Sequence, residues 1–128
     1  MKARRNQCLT IGWIGYYSAH RDSLLQLFFP TIKKLDMPVK LVLMGIKHAQ
    51  HFDEVANYFK DCHNLTIDMP GDIDWQSEAA IYEQIATFDI GVAPLLDTEI
   101  NRAKSAFKMK QYLSCGVPVL GSTVGENA

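Results

Sequence analysis

Four residues late in the chain have types and spacing suited to anion chemistry. Lys104, Lys108, Gln111 and Cys115 follow one another at intervals of four, three and four. That spacing puts them on one face of a helix. Two ammonium groups near a helix start are disfavoured by the positive end of the helix dipole, and a bound anion would relieve both. A diphosphate there would draw on Lys104, Lys108 and backbone N–H groups of the first turn. The competing reading is a solvated basic face. Upstream, Trp75 lies in the loop Asp72-Ile73-Asp74-Trp75, placed either to stack on a base or to anchor core or lid. Gly15 and Tyr16 sit in Gly12-Trp13-Ile14-Gly15-Tyr16-Tyr17, where Gly15 either lets backbone approach a ligand or gives a strand a flexible exit. This stretch lacks the third glycine of a GxGxxG fingerprint, which argues against a nicotinamide dinucleotide.

Other chemistries fit less well. His48, His51, Cys62 and His63 lack the second well-spaced pair that a metal site needs, so no metal is expected. Cys115 falls where a helix ends, so no helix dipole lowers its pKa. There is no GxSxG nucleophile elbow. A receiver-type signalling domain would carry an acidic cluster after its first strand, whereas this one exits into Gly15-Tyr16-Tyr17.

The elements that must position these residues alternate between strand and helix. Leu9 to Gly15 reads as a buried strand, followed by a polar loop from Tyr16 to Arg21. Asp22 or Ser23 then caps a helix with the apolar stripe Leu24, Phe28, Ile32 and Leu35. Pro30 should kink this helix or start a second turn. Val39 to Gly45 is a second strand. A shorter helix is expected over Phe52 to Phe59, with Val55, Tyr58 and Phe59 inward. Leu65 to Met69 is a third, weaker strand, and Pro70-Gly71 a turn. Ser77 caps a helix from Glu78 to Ala86. Phe88 to Ala93 is a fourth strand. A helix over about Lys104 to Cys115 carries a second apolar stripe of Ala106, Met109 and Leu113, and Gly116 stops it. Val117 to Leu120 is a fifth strand.

Near-continuous apolar strands alternating with helices imply a parallel sheet covered on both faces, the doubly wound, Rossmann-like α/β class with about five strands. Ligands in such folds bind beyond the carboxyl ends of the strands. The loops of interest are therefore Gly15–Asp22, Gly45–His51, Pro70–Ser77, Pro94–Lys104 and Gly121–Asn127. Because a strand and a polar loop come last, the sheet is expected to lack its closing elements and residues 1–128 to be one domain from a longer gene product.

With 128 residues, 48% hydrophobic and 21% charged, the chain has the balance of a single globular domain. A net charge of -1 gives no electrostatic draw toward nucleic acid or acidic lipid. The longest apolar runs are strand-sized, far short of the roughly 20 residues that span a bilayer, and the basic N-terminus is not followed by a signal-peptide core. Three widely spaced cysteines point away from a disulfide framework and toward a reducing, cytoplasmic setting.

Three segments then carry a family resemblance: Asp89-Ile90-Gly91-Val92-Ala93-Pro94-Leu95, Asn101 through Lys108, and Gln111-Tyr112-Leu113-Ser114-Cys115-Gly116-Val117-Pro118-Val119-Leu120-Gly121-Ser122. Together they resemble the C-terminal lobe of the group 1 (family 4) glycosyltransferases, enzymes of the two-lobed GT-B architecture. The strands ending at Gly15 and Gly45, and the terminal Val124-Gly125-Glu126-Asn127, are similar to that lobe too.

The resemblance implies a lobe that binds a nucleoside diphosphate sugar, with the acceptor glycan or lipid held by an N-terminal lobe that is not part of this sequence. It implies retaining hexosyl transfer with no required cofactor, a fragment inactive by itself, and membrane contact only for a full enzyme at the inner face of the membrane. Lys104 and Lys108 become catalytic candidates at the diphosphate. Gly15 and Tyr16 would line the phosphate side, and Trp75 would lie beside the base. Asp97, Glu99 and Asn101 become candidates for sugar hydroxyls. Family members carry two glutamates separated by seven residues, and here Ala103 and Gln111 occupy those positions. Gln111 retains a carbonyl oxygen for a ribose hydroxyl. The Lys104-Ser105…Lys108 pattern, Ser105 included, resembles a sub-branch without the first glutamate. Alternative readings are a non-catalytic nucleotide- or anion-binding regulatory module, favoured by the lost carboxylates, and a receiver-like interaction domain.

Overall fold

A computed structural model describes residues 8–71, 73–98 and 107–121, the side chains of 107–109 excepted. The elements are β1 (Leu9–Ile14), α1 (Tyr17–Ser23), a π-helical turn (Leu24–Phe28), α2 (Phe29–Lys33), β2 (Val39–Met44), α3 (Ala49–Tyr58), β3 (Leu65–Asp68), α4 (Glu78–Ile85), β4 (Ile90–Ala93), α5 (Phe107–Ser114) and β5 (Val119–Gly121). The five strands form one all-parallel sheet in the order β3-β2-β1-β4-β5. This is the open, Rossmann-like α/β arrangement expected from the strand–helix alternation.

Successive side chains of a strand point to opposite faces, and each face has its own core. On one face Ile11 and Trp13 of β1, with Val39, Leu41 and Leu43 of β2, pack with Leu24, Phe28, Phe29, Ile32, Val55 and Phe59. On the other, Ile14, Val42 and Met44 pack with Ile85, Phe88, Tyr112 and Val117. The helices thus lie on both sides, α1 to α3 on the first and α4 and α5 on the second. No helix among the described residues is long and apolar enough to cross a membrane.

The first helix departs from expectation. It begins at Tyr17, not after a loop ending at Arg21, and Asp22 and Ser23 lie inside it. Tertiary contacts outweigh the polar composition of this stretch. Tyr17, His20 and Ser23 fall on one face and are buried. The His20 ring meets Trp13 edge-on at 5.7 Å. Ser23 is no cap: its Oγ accepts from the Leu96 N–H at 3.0 Å and ties the exit of β4 to this helix. Pro30 acts as predicted in kind. It has no N–H to donate and would clash with a carbonyl one turn back. The chain relaxes through the π-helical turn, where the Phe29 N–H reaches the Leu24 carbonyl, and Pro30 sits in the first turn of α2.

Other elements also differ, β5 among them, which spans Val119–Gly121 and not Val117 to Leu120. Helix α3 starts at Ala49, so His48 and His51 share a helical turn and not a loop, with the His51 N–H donating to the His48 carbonyl. Strand β4 begins at Ile90 because Asp89 is engaged before it: its Oδ2 accepts from the Thr10 N–H at 2.8 Å and its own N–H donates to the Thr10 carbonyl. On α5 the inward residue is Tyr112, fully buried, whereas Leu113 is 62% exposed and overturns the expected apolar stripe. Ala106 lies outside the described residues, as does the Met109 side chain. Helix α5 does end as expected, at Gly116 with φ +72°.

Ser77 caps α4 as the sequence predicts, its Oγ accepting from the Ala80 N–H at 3.2 Å. Ser77→Ala is expected to cost about 1 kcal/mol of stability, read as a lower urea midpoint at unchanged slope. An unchanged midpoint would show the cap to be dispensable.

Candidate functional site

The strand order reverses between β1 and β4. The chain leaves β1 toward β2 on one side and leaves β4 toward β5 on the other, and the crevice at such a reversal is where open α/β sheets take ligands. A cleft of about 390 Å³ lies beside it, at the carboxyl end of β1, lined by Ile14, Gly15, Tyr16, Lys47, Trp75, Ile81 and Gln111. Its residues come from the carboxyl ends or following loops of β1, β2 and β3, together with α4 and α5.

At Gly15, which lines the cleft, the loops after β1 and β2 meet glycine to glycine. The Gly15 N–H donates to the Met44 carbonyl at 2.9 Å, and the Tyr17 N–H to the Gly45 carbonyl at 3.3 Å. Gly45 has φ +121°, and a Cβ on it would lie 1.5 Å from the Gly15 carbonyl oxygen. Only a residue without a side chain allows the two loops to close this far. The requirement for glycine therefore falls on Gly45, and Gly15 takes part through its backbone carbonyl.

The walls are aromatic and aliphatic. Asp74 shapes the turn that presents Trp75: its Oδ1 accepts from the Gln76 N–H at 3.1 Å and its carbonyl from the Ser77 N–H at 3.0 Å. Trp75 is 39% exposed and Tyr16 49% exposed, unusual for such large rings at one cleft. The Lys47 ammonium lies 5.8 Å from the Tyr16 ring centre and 5.9 Å from that of Trp75. Gln111 faces the same cleft from α5, one residue before buried Tyr112. The Tyr112 hydroxyl accepts from the Ile14 N–H at 3.1 Å and donates to the Val92 carbonyl at 3.0 Å, fixing α5 to β1 and β4.

Four residues singled out from the sequence, Gly15, Tyr16, Trp75 and Gln111, thus meet in one cleft. Asp97 is exposed on the loop after β4 and is not among the residues lining it. Glu99, Asn101, Lys104 and Ser105 lie outside the described residues, and Lys108 is placed in the first turn of α5 by its backbone alone. Cys115 packs against the core under α5, and burial pushes its thiol up from the ordinary range. Lys47 was missed. The signal for it was position, a cation two residues beyond the glycine that ends β2, on the ligand side of the sheet.

A second polar cluster joins α1 to α3. The Glu54 carboxylate accepts from the Tyr17 hydroxyl at 2.9 Å and from Arg21 Nε at 2.9 Å, with Arg21 Nη2 on the same carboxylate. The hydrogen bonds from Arg21 hold the Glu54 carboxyl below the usual range. Tyr17 directly follows Tyr16, so this pairing steadies the start of α1 where it borders the cleft. His48 and His51 stack edge-on at 5.4 Å. Among the described residues no group of three or more His, Cys, Asp or Glu is arranged to hold a metal ion.

No protein-family model matches the chain, and a search of curated proteins finds no match either.

Proposed function

We propose that this chain is the donor-binding half of a glycosyltransferase, which holds a nucleoside diphosphate sugar in the cleft at the carboxyl end of β1. The observation that carries the reading is the convergence of Gly15, Tyr16, Trp75 and Gln111 on one cleft beside the strand-order reversal. Trp75 and Tyr16 offer faces to a planar base, and the Gln111 amide offers an acceptor and two donors to ribose or base. Transfer of the sugar to an acceptor hydroxyl breaks the bond between its anomeric carbon and the diphosphate oxygen, and negative charge develops on the leaving group. Ammonium groups at that charge stabilise the transition state more than the ground state. Lys108, and by resemblance Lys104, serve that role in this reading. Acceptor binding and turnover belong to a second lobe, and the setting is cytoplasmic or at the inner membrane face.

The test is NMR shift mapping of the labelled chain with UDP, GDP, ADP and CMP. One nucleotide should move the amides of Gly15, Tyr16 and Gln111 and the Trp75 indole N–H, and leave the buried Trp13 indole in place. A folded chain with no shifts at these positions up to millimolar ligand would refute the assignment of the cleft.

A further inference from the structure

Lys47 is the one charged side chain among the described residues lining the cleft. Its ammonium stands near the faces of both Tyr16 and Trp75, at 5.8 and 5.9 Å from the ring centres. These distances lie at the outer edge of a cation–π contact, about 6 Å. The rings therefore hold the charge near the cleft without tying it down. Lys33 provides a contrast on another part of the surface: it sits 4.6 Å from the Tyr58 ring centre and also donates to the Tyr58 carbonyl at 3.2 Å. Lys47 has aromatic neighbours, an apolar cavity beside it, and no anionic group in that described lining.

We propose that Lys47 is a further phosphate contact of this cleft, a cation parked beside two aromatic rings that turns onto the anionic end of a nucleotide. This rests on the nucleotide reading of the cleft and adds to it a residue that senses phosphate charge. The chemistry follows from the lining. Ile14, Ile81 and the two rings favour a planar, weakly polar body. A compact ammonium on a flexible stem favours a phosphate group over a neutral end. Leaving the rings gives up little attraction at these distances, whereas a charge-assisted hydrogen bond to phosphate is about twice as strong as a neutral one. Affinity should therefore climb with phosphate number on one base, and the climb should depend on Lys47.

The experiment is calorimetric titration of the wild-type chain with a nucleoside, its monophosphate and its diphosphate, using the base selected by shift mapping. The wild type should bind the diphosphate at least tenfold more tightly than the nucleoside. Lys47→Met keeps the length of the stem and removes the charge. It should lower diphosphate affinity by about tenfold, the scale of one charge-assisted contact, and leave nucleoside affinity unchanged. Lys47→Arg should retain most of the preference, and Lys33→Met, with the same change in net charge, should retain all of it. Circular dichroism melts of the variants should match the wild type, since Lys47 is exposed. If the wild type binds a nucleotide and Lys47→Met keeps the same diphosphate-to-nucleoside ratio, the assignment of Lys47 is wrong while the cleft reading stands. If the wild type binds none of these compounds, the nucleotide reading falls and this inference falls with it.

Discussion

Gly45→Ala is expected to cost on the order of 4 kcal/mol or more, the range reserved for backbone strain compounded by a hard clash. Two effects add. At φ +121° an L-residue is strained whatever the space around it, and the new Cβ would sit 1.5 Å from the Gly15 carbonyl oxygen. The obstacle is backbone, so no rotamer change relieves it. Gly15 cannot retreat freely either, because its N–H is bonded to Met44 and the next turn is bonded to Gly45 itself. A domain of this size has only about 5–15 kcal/mol of net stability, so the variant should melt more than about 10 °C lower or fail to fold. Gly71→Ala is the control: a Cβ there meets nothing within 4 Å, and the change should stay within about 0.5 kcal/mol. Thermal and urea melts of both variants decide the matter. A Gly45→Ala protein that melts within a few degrees of wild type would show that the two loops do not close as described. Any surviving folded fraction should have a displaced Gly15, and with it an altered cleft, because Gly15 is the residue Gly45 packs against and it lines the cleft.

Tyr112→Phe should be the next most damaging change. The Tyr112 hydroxyl is the partner of both the Ile14 N–H and the Val92 carbonyl, in a side chain with no exposure. Removing it strips both backbone groups of that partner where water does not replace it, at about 1–3 kcal/mol for each orphaned group. A loss of at least about 2 kcal/mol at pH 7 follows. The variant also has a pH signature. Burial pushes the Tyr112 phenol well above its ordinary range, against the smaller opposing pull of the Ile14 hydrogen bond. The stability tied to the neutral phenol is complete below the unfolded value, about 10, and is lost as pH rises beyond it, because the unfolded chain ionises first. Tyr17 behaves in the same direction, through burial and its hydrogen bond to Glu54. Wild-type stability should therefore fall above about pH 10, and the Tyr112→Phe curve should fall less steeply and approach it. Urea midpoints from pH 7 upward test this. Parallel curves would mean that Tyr112 titrates normally and is not sealed in.

Much of the architecture was legible in the residues. The apolar strands, the Ser77 cap and the Gly116 stop each depend on neighbours close in sequence, and each is present, with β4 and β5 starting two residues later than their apolar runs. Elements whose fate depends on distant partners were misread. Tyr17-Ser18-Ala19-His20-Arg21 is polar and reads as a loop, yet it is helical because Trp13, Glu54 and Leu96 reward one of its faces. Leu113 and Tyr112 are adjacent and both suit an interior. Which one turns inward depends on the groove above β1 and β4, where a hydroxyl is needed to satisfy Ile14 and Val92.

For the cleft the division is similar. Residue types alone nominated Gly15, Tyr16, Trp75 and Gln111, because a glycine at a strand exit, an aromatic ring in a ligand-side loop and an amide on a helix face each have a short list of uses. Their convergence, the glycine-on-glycine contact of Gly15 and Gly45 and the position of Lys47 beside two rings were decided by the tertiary structure. Strand order and crossover handedness set which loops become neighbours, and those depend on how both sheet faces are covered at once, a property that no single stretch of sequence contains.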